Sequence, residues 1–203
     1  MYIVCFDLEG VLTPEIWIAV SKSTGIGELK LTTRDIPDYG VLMKNRIELL
    51  RKHEISLKEI QDIILNMELL PGAKEFLDYI RTIAQVVIVT DSFIEFVMPF
   101  MKKLSYPICF CHNLETDKDG IILNYKIRIK EMKKKTVLAL KMLNYEVIAA
   151  GDSYNDVPML LEARHSILFR PPKNVVDEFP QFKVVNEYSE LKTLISNYLG
   201  LSD

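Results

Sequence analysis

Residues 2–12 read Tyr2-Ile3-Val4-Cys5-Phe6-Asp7-Leu8-Glu9-Gly10-Val11-Leu12. The first five are apolar without alternation, the mark of a strand buried on both faces, as in a parallel sheet. The run stops at Asp7-Leu8-Glu9-Gly10, with two carboxylates two residues apart. Similar runs recur at 85–90, 108–110, 146–150, 166–169 and 183–185. Helical periodicity fills the spaces between them, over 72–83, 94–103, 134–143, 156–163 and 189–199. Alternating strands and helices predict an α/β fold with a doubly wound parallel sheet.

One region breaks the rhythm. Between the first and second strands the pattern is helical only, over 14–24, 41–53 and 57–67. Pro14 suits a first helical turn, and Ser56 with Glu59 spells a capping box. Pro71-Gly72 marks the return. The expectation is an α/β core formed by 1–13 and 72–203, with 14–71 as a small helical cap. A second excursion has a turn, Asp117-Lys118-Asp119-Gly120, between 109–114 and 121–129, which predicts a β-hairpin flap. Thr24-Gly25-Ile26-Gly27 lacks the preceding strand and third glycine of a dinucleotide fingerprint and reads as a helix stop.

Bulk properties narrow the function. With 203 residues, 49% hydrophobic and 26% charged, the chain can bury a sizeable core. A formal charge of −3 argues against a nucleic-acid partner. An anionic substrate must therefore meet local positive charge, a metal or backbone N–H groups. The three cysteines lack a disulfide framework. Cys109-Phe110-Cys111-His112 reads as a strand, because no second ligand pair stands at zinc spacing. No apolar run is long enough to cross a membrane, and no signal peptide is expected because Asp7 and Glu9 interrupt the first apolar run. The default setting is cytoplasmic.

Three of the apolar strands end alike: in Asp7-Leu8-Glu9-Gly10, in Thr90-Asp91-Ser92, and in Gly151-Asp152-Ser153-Tyr154-Asn155-Asp156. Open α/β sheets bind ligands at the carboxyl ends of their strands. If the three strands are neighbours, their carboxylates converge and repel unless a divalent cation joins them, and oxygen-only ligands suit Mg2+. Such a site fits phosphoryl chemistry, in which a carboxylate attacks phosphorus and splits one difficult step into two.

These motifs resemble the haloacid dehalogenase (HAD) superfamily. Asp7–Leu12 is similar to its first motif, Thr90 to the second-motif hydroxyl, a lysine among 133–135 to the third-motif cation, and Gly151–Asp156 to the fourth. Together with Pro14-Glu15-Ile16-Trp17-Ile18-Ala19, Thr32-Thr33-Arg34-Asp35-Ile36-Pro37-Asp38-Tyr39 and Leu42-Met43-Lys44, they resemble one branch, the bifunctional phosphoserine phosphatase/homoserine phosphotransferases. The resemblance spans essentially the whole chain. It implies a HAD-like core, a helical cap and Mg2+.

The resemblance also implies roles. Asp7 is the nucleophile and a metal ligand. Glu9 is the general acid and base, where many superfamily members have Asp, and its backbone also ligates the metal. Asp152 completes the ligands, and Asp156 orients waters or the lysine. Thr90 and Asn155 contact phosphate. Lys133 neutralises it, with Lys134 as runner-up. Asp91, where related enzymes often have glycine, is expected to face a substrate ammonium or a cap residue. Glu15 takes the ammonium of an amino-acid phosphate, and Arg46 grips its carboxylate. His53, His112 and His165 read as structural or surface residues away from the motifs.

The implied reaction is hydrolysis of O-phospho-L-serine through an aspartyl-phosphate, with transfer to L-homoserine. The alternative is a phosphatase for another small metabolite, such as a sugar phosphate or nucleotide. A receiver-like signalling domain fits less well, since its phosphoacceptor closes a third strand and it has no cap. The expected partner is a small phosphorylated amino acid, with no nucleic acid or membrane. A homodimer is left open.

Overall fold

The computed structural model describes residues 1–32, 35–36 and 38–201. Its elements run β1 (Tyr2–Phe6), α1 (Ile16–Thr24), α2 (Tyr39–Lys52), α3 (Leu57–Leu65), α4 (Ala73–Ile83), β2 (Gln85–Phe93), α5 (Ile94–Lys103), β3 (Ile108–Thr116), β4 (Ile122–Lys126), α6 (Met132–Met142), β5 (Glu146–Gly151), α7 (Val157–Glu162), β6 (His165–Phe169), α8 (Lys173–Glu178), β7 (Lys183–Val185) and α9 (Tyr188–Tyr198). Short 3-10 turns lie at Gly27–Lys30 and Tyr154–Asp156.

The strands form one seven-stranded sheet in the order β4-β3-β2-β1-β5-β6-β7. Every pair is parallel except β3 with β4, which is the antiparallel flap hairpin. β1 lies between β2 and β5, where the winding reverses, so the three strands with polar ends are adjacent.

Side chains on a strand alternate between its two faces. Val4 and Phe6 enter the larger hydrophobic cluster, while Ile3 and Cys5 enter the smaller one on the other side. This two-sided burial explains why β1 is uniformly apolar. Phe6 is fully buried and meets Phe76 of α4 edge-on, with centroids 5.4 Å apart. Burial of one such side chain is worth roughly 1.5–3 kcal/mol.

The helices between β1 and α4 add their apolar faces to the larger cluster through Trp17, Met43, Leu50 and Ile60. Ser56 and Glu59 form the predicted capping box at α3. Gly25 ends α1 in the left-handed region at φ 73°, as the helix-stop reading requires. Other boundaries differ. α1 begins at Ile16, two residues after Pro14, and α2 begins at Tyr39 because Asp38 caps it by accepting from the Val41 N–H at 2.9 Å. α8 was not anticipated, since its six residues are too few to show a period. Within the quoted 32–39 motif, Thr33, Arg34 and Pro37 lie outside the described residues.

Candidate active site

The site forms where β1, β2 and β5 end. The Asp7 N–H donates to the Ala150 carbonyl at 3.0 Å, so the sheet ladder itself fixes the start of the acidic loop. Gly10 then turns the chain at φ 80°. A β-carbon on Gly10 would sit 2.5 Å from Cγ of Asp152, so glycine is what allows the β1 loop and the β5 loop to meet.

β2 reaches its position by a bulge. It pairs with β3 through Val89 and Phe110, leaves register, and pairs again through Phe93 and His112. Thr90, Asp91 and Ser92 thus occupy a span in which β3 has only Cys111, and all three line the cavity. A bulge of this kind re-aims side chains beside a site.

Lys133, from the first turn of α6, is buried among acids. Its Nζ lies 2.6 Å from Asp156 Oδ1, 3.0 Å from Asp7 Oδ1 and 3.8 Å from Asp91 Oδ2. Burial alone would lower its pKa, but the charges of Asp156, Asp7 and Asp91 hold it well above the ordinary value. Lys134 points away toward Glu162, at 3.7 Å. The structure therefore selects Lys133 from the lysine run as the group facing the motifs.

The carboxylates divide by environment. Asp156 is fully buried and both of its oxygens are engaged: Oδ1 by Lys133, and Oδ2 by the N–H groups of Asp152, at 2.9 Å, and Ser153, at 3.1 Å. Asp7 is pushed well above the usual carboxylate range, first by burial and then by Asp156. Asp152 is raised to about 7 by burial, Asp156 and Glu15. Glu9 is raised to about 7 by burial and Glu15, against the pull of the Ile16 N–H, Ser92 and Arg46. Asp7, Asp152 and Asp156 each offer an oxygen within 4.8 Å of the others. An oxygen-only cluster in which burial and neighbouring carboxylates raise Asp7 and Asp152 fits a hard divalent cation.

A cavity of about 290 Å³ opens above these groups. Its floor holds Asp7, Glu9, Thr90, Asp152 and Asn155, and its opposite wall holds Glu15, Trp17, Tyr39 and Arg46 from the inserted segment. Arg46 is buried, with Cζ 4.4 Å above the Trp17 ring. Its Nη2 donates to the Leu31 carbonyl at 2.7 Å, while Nε has no partner among the described residues. Burial lowers its pKa to about 10, which leaves it cationic at neutral pH.

Two expectations need correcting. Of the two partners expected for Asp91, a substrate ammonium or a cap residue, the second is not among the hydrogen-bond or ion-pair contacts of its side chain with the described residues. Its Oδ2 accepts from Asn155 Nδ2 at 3.2 Å and its Oδ1 lies 3.7 Å from His112 Nε2, because the bulge aims it at β3 and the β5 loop. Burial would raise Asp91, but Lys133, His112 and Asn155 bring it to about 2. His112 is likewise not remote from the motifs, since the register of β3 seats it beside the bulge. Tyr39 and Ser92 were missed. Tyr39 OH donates to the Asp91 carbonyl at 3.3 Å, and only the folded path of α2 reveals that contact.

Residues 1–164 match the family model described as haloacid dehalogenase-like hydrolase. The chain belongs to that hydrolase family. Among curated relatives, it is 53% identical over 192 residues to a protein of Pseudomonas aeruginosa named phosphoserine phosphatase ThrH, covering 95% of this hydrolase and 94% of that relative. It is 52% identical over 190 residues to a Pseudomonas syringae pv. tomato protein named phosphoserine phosphatase, covering 94% of this chain and 80% of that one. The fold matches the crystal structure of phosphoserine phosphatase from T. onnurineus at TM-score 0.75 and 21% identity, over 97% of this chain and 94% of that one.

Proposed function

We propose that this hydrolase cleaves O-phospho-L-serine through an aspartyl-phosphate on Asp7 and passes the phosphoryl group to L-homoserine when that alcohol replaces water. One observation carries the reading. One cavity is lined by Asp7, whose carboxylate lies 3.0 Å from the buried Lys133 behind it, and by two residues of opposite charge from the inserted segment, Glu15 and Arg46. A phosphorylated amino acid presents the matching phosphate, ammonium and carboxylate. The names of the two Pseudomonas relatives agree with this substrate.

In the first half-reaction a carboxylate oxygen of Asp7 bonds to phosphorus as the phosphorus–serine oxygen bond breaks. Glu9 gives its proton to the departing serine oxygen. In the second half, the Glu9 carboxylate takes a proton from water or from the homoserine hydroxyl, whose oxygen attacks phosphorus and frees Asp7. A carboxyl held near 7 is suited to both directions of proton transfer. Lys133 spreads positive charge over the phosphoryl oxygens, aided by the Thr90 hydroxyl and Asn155. Asp7, the Glu9 main-chain carbonyl and Asp152 would hold magnesium, which supplies Lewis-acid neutralisation of the phosphoryl oxygens when bound. Asp156, with both oxygens occupied, fixes Lys133 and the Asp152 loop. Residues 14–71 act as the cap that excludes water and reads the amino-acid part. The free cysteines Cys5, Cys109 and Cys111 suit a reducing compartment such as the cytoplasm.

The test is phosphate release from a panel of phosphorylated metabolites with magnesium, with and without homoserine. Phosphoserine turnover, O-phosphohomoserine formation and loss of both in Asp7→Asn are expected. Efficient turnover of a sugar phosphate or nucleotide without phosphoserine turnover would overturn the substrate assignment.

A further inference from the structure

We propose that His112 is a positioning residue for phosphoryl transfer, acting through Asp91 on Lys133 and Asn155. The inference rests on the phosphoryl-transfer reading of this cavity and adds a residue to it.

The bulge supplies the starting point. Because β2 re-enters the ladder at Phe93 opposite His112, the imidazole lies alongside the residues that bow out. His112 is 4% exposed, yet it is not packed as a purely apolar group. Its Nδ1 accepts from the Arg128 N–H at 3.3 Å. An accepting Nδ1 carries no proton, so the neutral ring bears its proton on Nε2. Nε2 faces Asp91 Oδ1 at 3.7 Å. That distance is an electrostatic contact rather than a formed hydrogen bond.

Asp91 passes the constraint on. Its other oxygen, Oδ2, accepts from Asn155 Nδ2 at 3.2 Å and lies 3.8 Å from Lys133 Nζ. One carboxylate therefore links a backbone-anchored imidazole to two groups aimed at the phosphate. A carboxylate lining a phosphate cavity is unfavourable by charge alone, and this linkage accounts for it. The His112 N–H, facing one oxygen of Asp91, biases the orientation of that carboxylate, and the other oxygen then sets where Asn155 stands and adds a further acidic contact to the Lys133 that Asp156 holds.

Two substitutions separate the two ends of the imidazole. His112→Asn retains an acceptor for the Arg128 N–H and removes the N–H facing Asp91. His112→Gln retains an N–H donor at the longer reach. Both are assayed with phosphoserine and with p-nitrophenyl phosphate, alongside Asp91→Asn and the Asp91→Asn/His112→Asn double variant. The nitrophenyl ester has no amino-acid part, so it reports the phosphoryl centre even if the phosphoserine assignment fails. We expect kcat to fall on the order of tenfold to a hundredfold in His112→Asn, by the general effect of losing a group that orients a catalytic one. KM should change less, His112→Gln should recover most of the rate, and the double variant should be no slower than Asp91→Asn. The proposal is overturned if folded His112→Asn keeps the wild-type kcat, if His112→Gln is no better than His112→Asn, or if the His112→Asn loss persists in full without the Asp91 carboxylate.

Discussion

The amide of Ile16 donates to Glu9 Oε2 at 2.8 Å, so the first residue of α1 holds the carboxylate that ends the β1 motif. The inserted segment thereby touches the proposed proton shuttle directly. Glu9→Gln keeps an oxygen for that amide and removes only the transferable proton. We expect kcat for phosphoserine to fall about 10²–10⁴-fold, the usual contribution of general acid–base catalysis. Formation of the phosphoenzyme from p-nitrophenyl phosphate, whose leaving group needs no proton, should fall much less. Equal losses with the two esters in a single-turnover assay would remove Glu9 from the acid role.

The same carboxyl predicts a pH limb. Glu9 sits near 7, raised chiefly by burial and Glu15, so it is protonated below that pH and ionised above it. kcat/KM reports free enzyme through formation of the phosphoenzyme, the step in which the proposed mechanism has Glu9 donate a proton. It should decline above about pH 7 with a slope approaching −1 in a log plot, and Glu9→Gln should abolish the decline. A limb of the same position in Glu9→Gln would assign it to another group.

How much of this was legible in the sequence depends on what each residue needs. Asp7 could be read because a carboxylate closing a doubly buried strand is a local signal, and Asp152 because its strand ends the same way. The order of the strands then made them neighbours. Lys133 could not be separated from Lys134 by composition; the phase of α6 decides it, burying the first and turning the second toward Glu162. His112 was hidden for a different reason. Its proximity to Asp91 follows from a register shift between β2 and β3, and a shift of that kind has no one-residue signature. The Tyr39 contact is equally non-local, joining residues 52 positions apart.

Metal binding should show as pH-dependent stabilisation. Asp152 has a folded value of about 7 against its ordinary 3.8, and Asp7 is raised as well. For a carboxyl raised on folding, the metal-free fold is favoured while the group stays protonated, and that advantage is lost as pH climbs from the ordinary value through the folded one. The metal-free Tm should therefore fall between about pH 4 and 7. Magnesium requires the ionised carboxylates, so its binding releases protons and its stabilising effect grows over the same window. Thermal unfolding in chelator and in magnesium, from pH 5 to 8, checks this. A Tm gap that is constant with pH, or that survives in Asp152→Asn, would contradict the assignment.

The role proposed for Arg46 separates substrate recognition from chemistry. The guanidinium stacks on Trp17, gives Nη2 to the Leu31 carbonyl and Nη1 to Met43 Sδ, and the residue lines the cavity beside Glu15. Arg46→Lys preserves the charge but not the planar fork, and a lysine cannot reproduce a stacked, multiply bonded guanidinium. A hydrogen bond to a charged group is worth about 1.5–3 kcal/mol, which corresponds to a KM rise of roughly tenfold to a hundredfold for phosphoserine. p-Nitrophenyl phosphate has no carboxylate for Arg46 to hold, so its KM should stay near the wild-type value. A parallel rise in KM for both esters would mean that Arg46 shapes the cavity as a whole, and among the described residues lining the cavity Glu15 would then be the charged residue of the inserted segment left to read the amino acid.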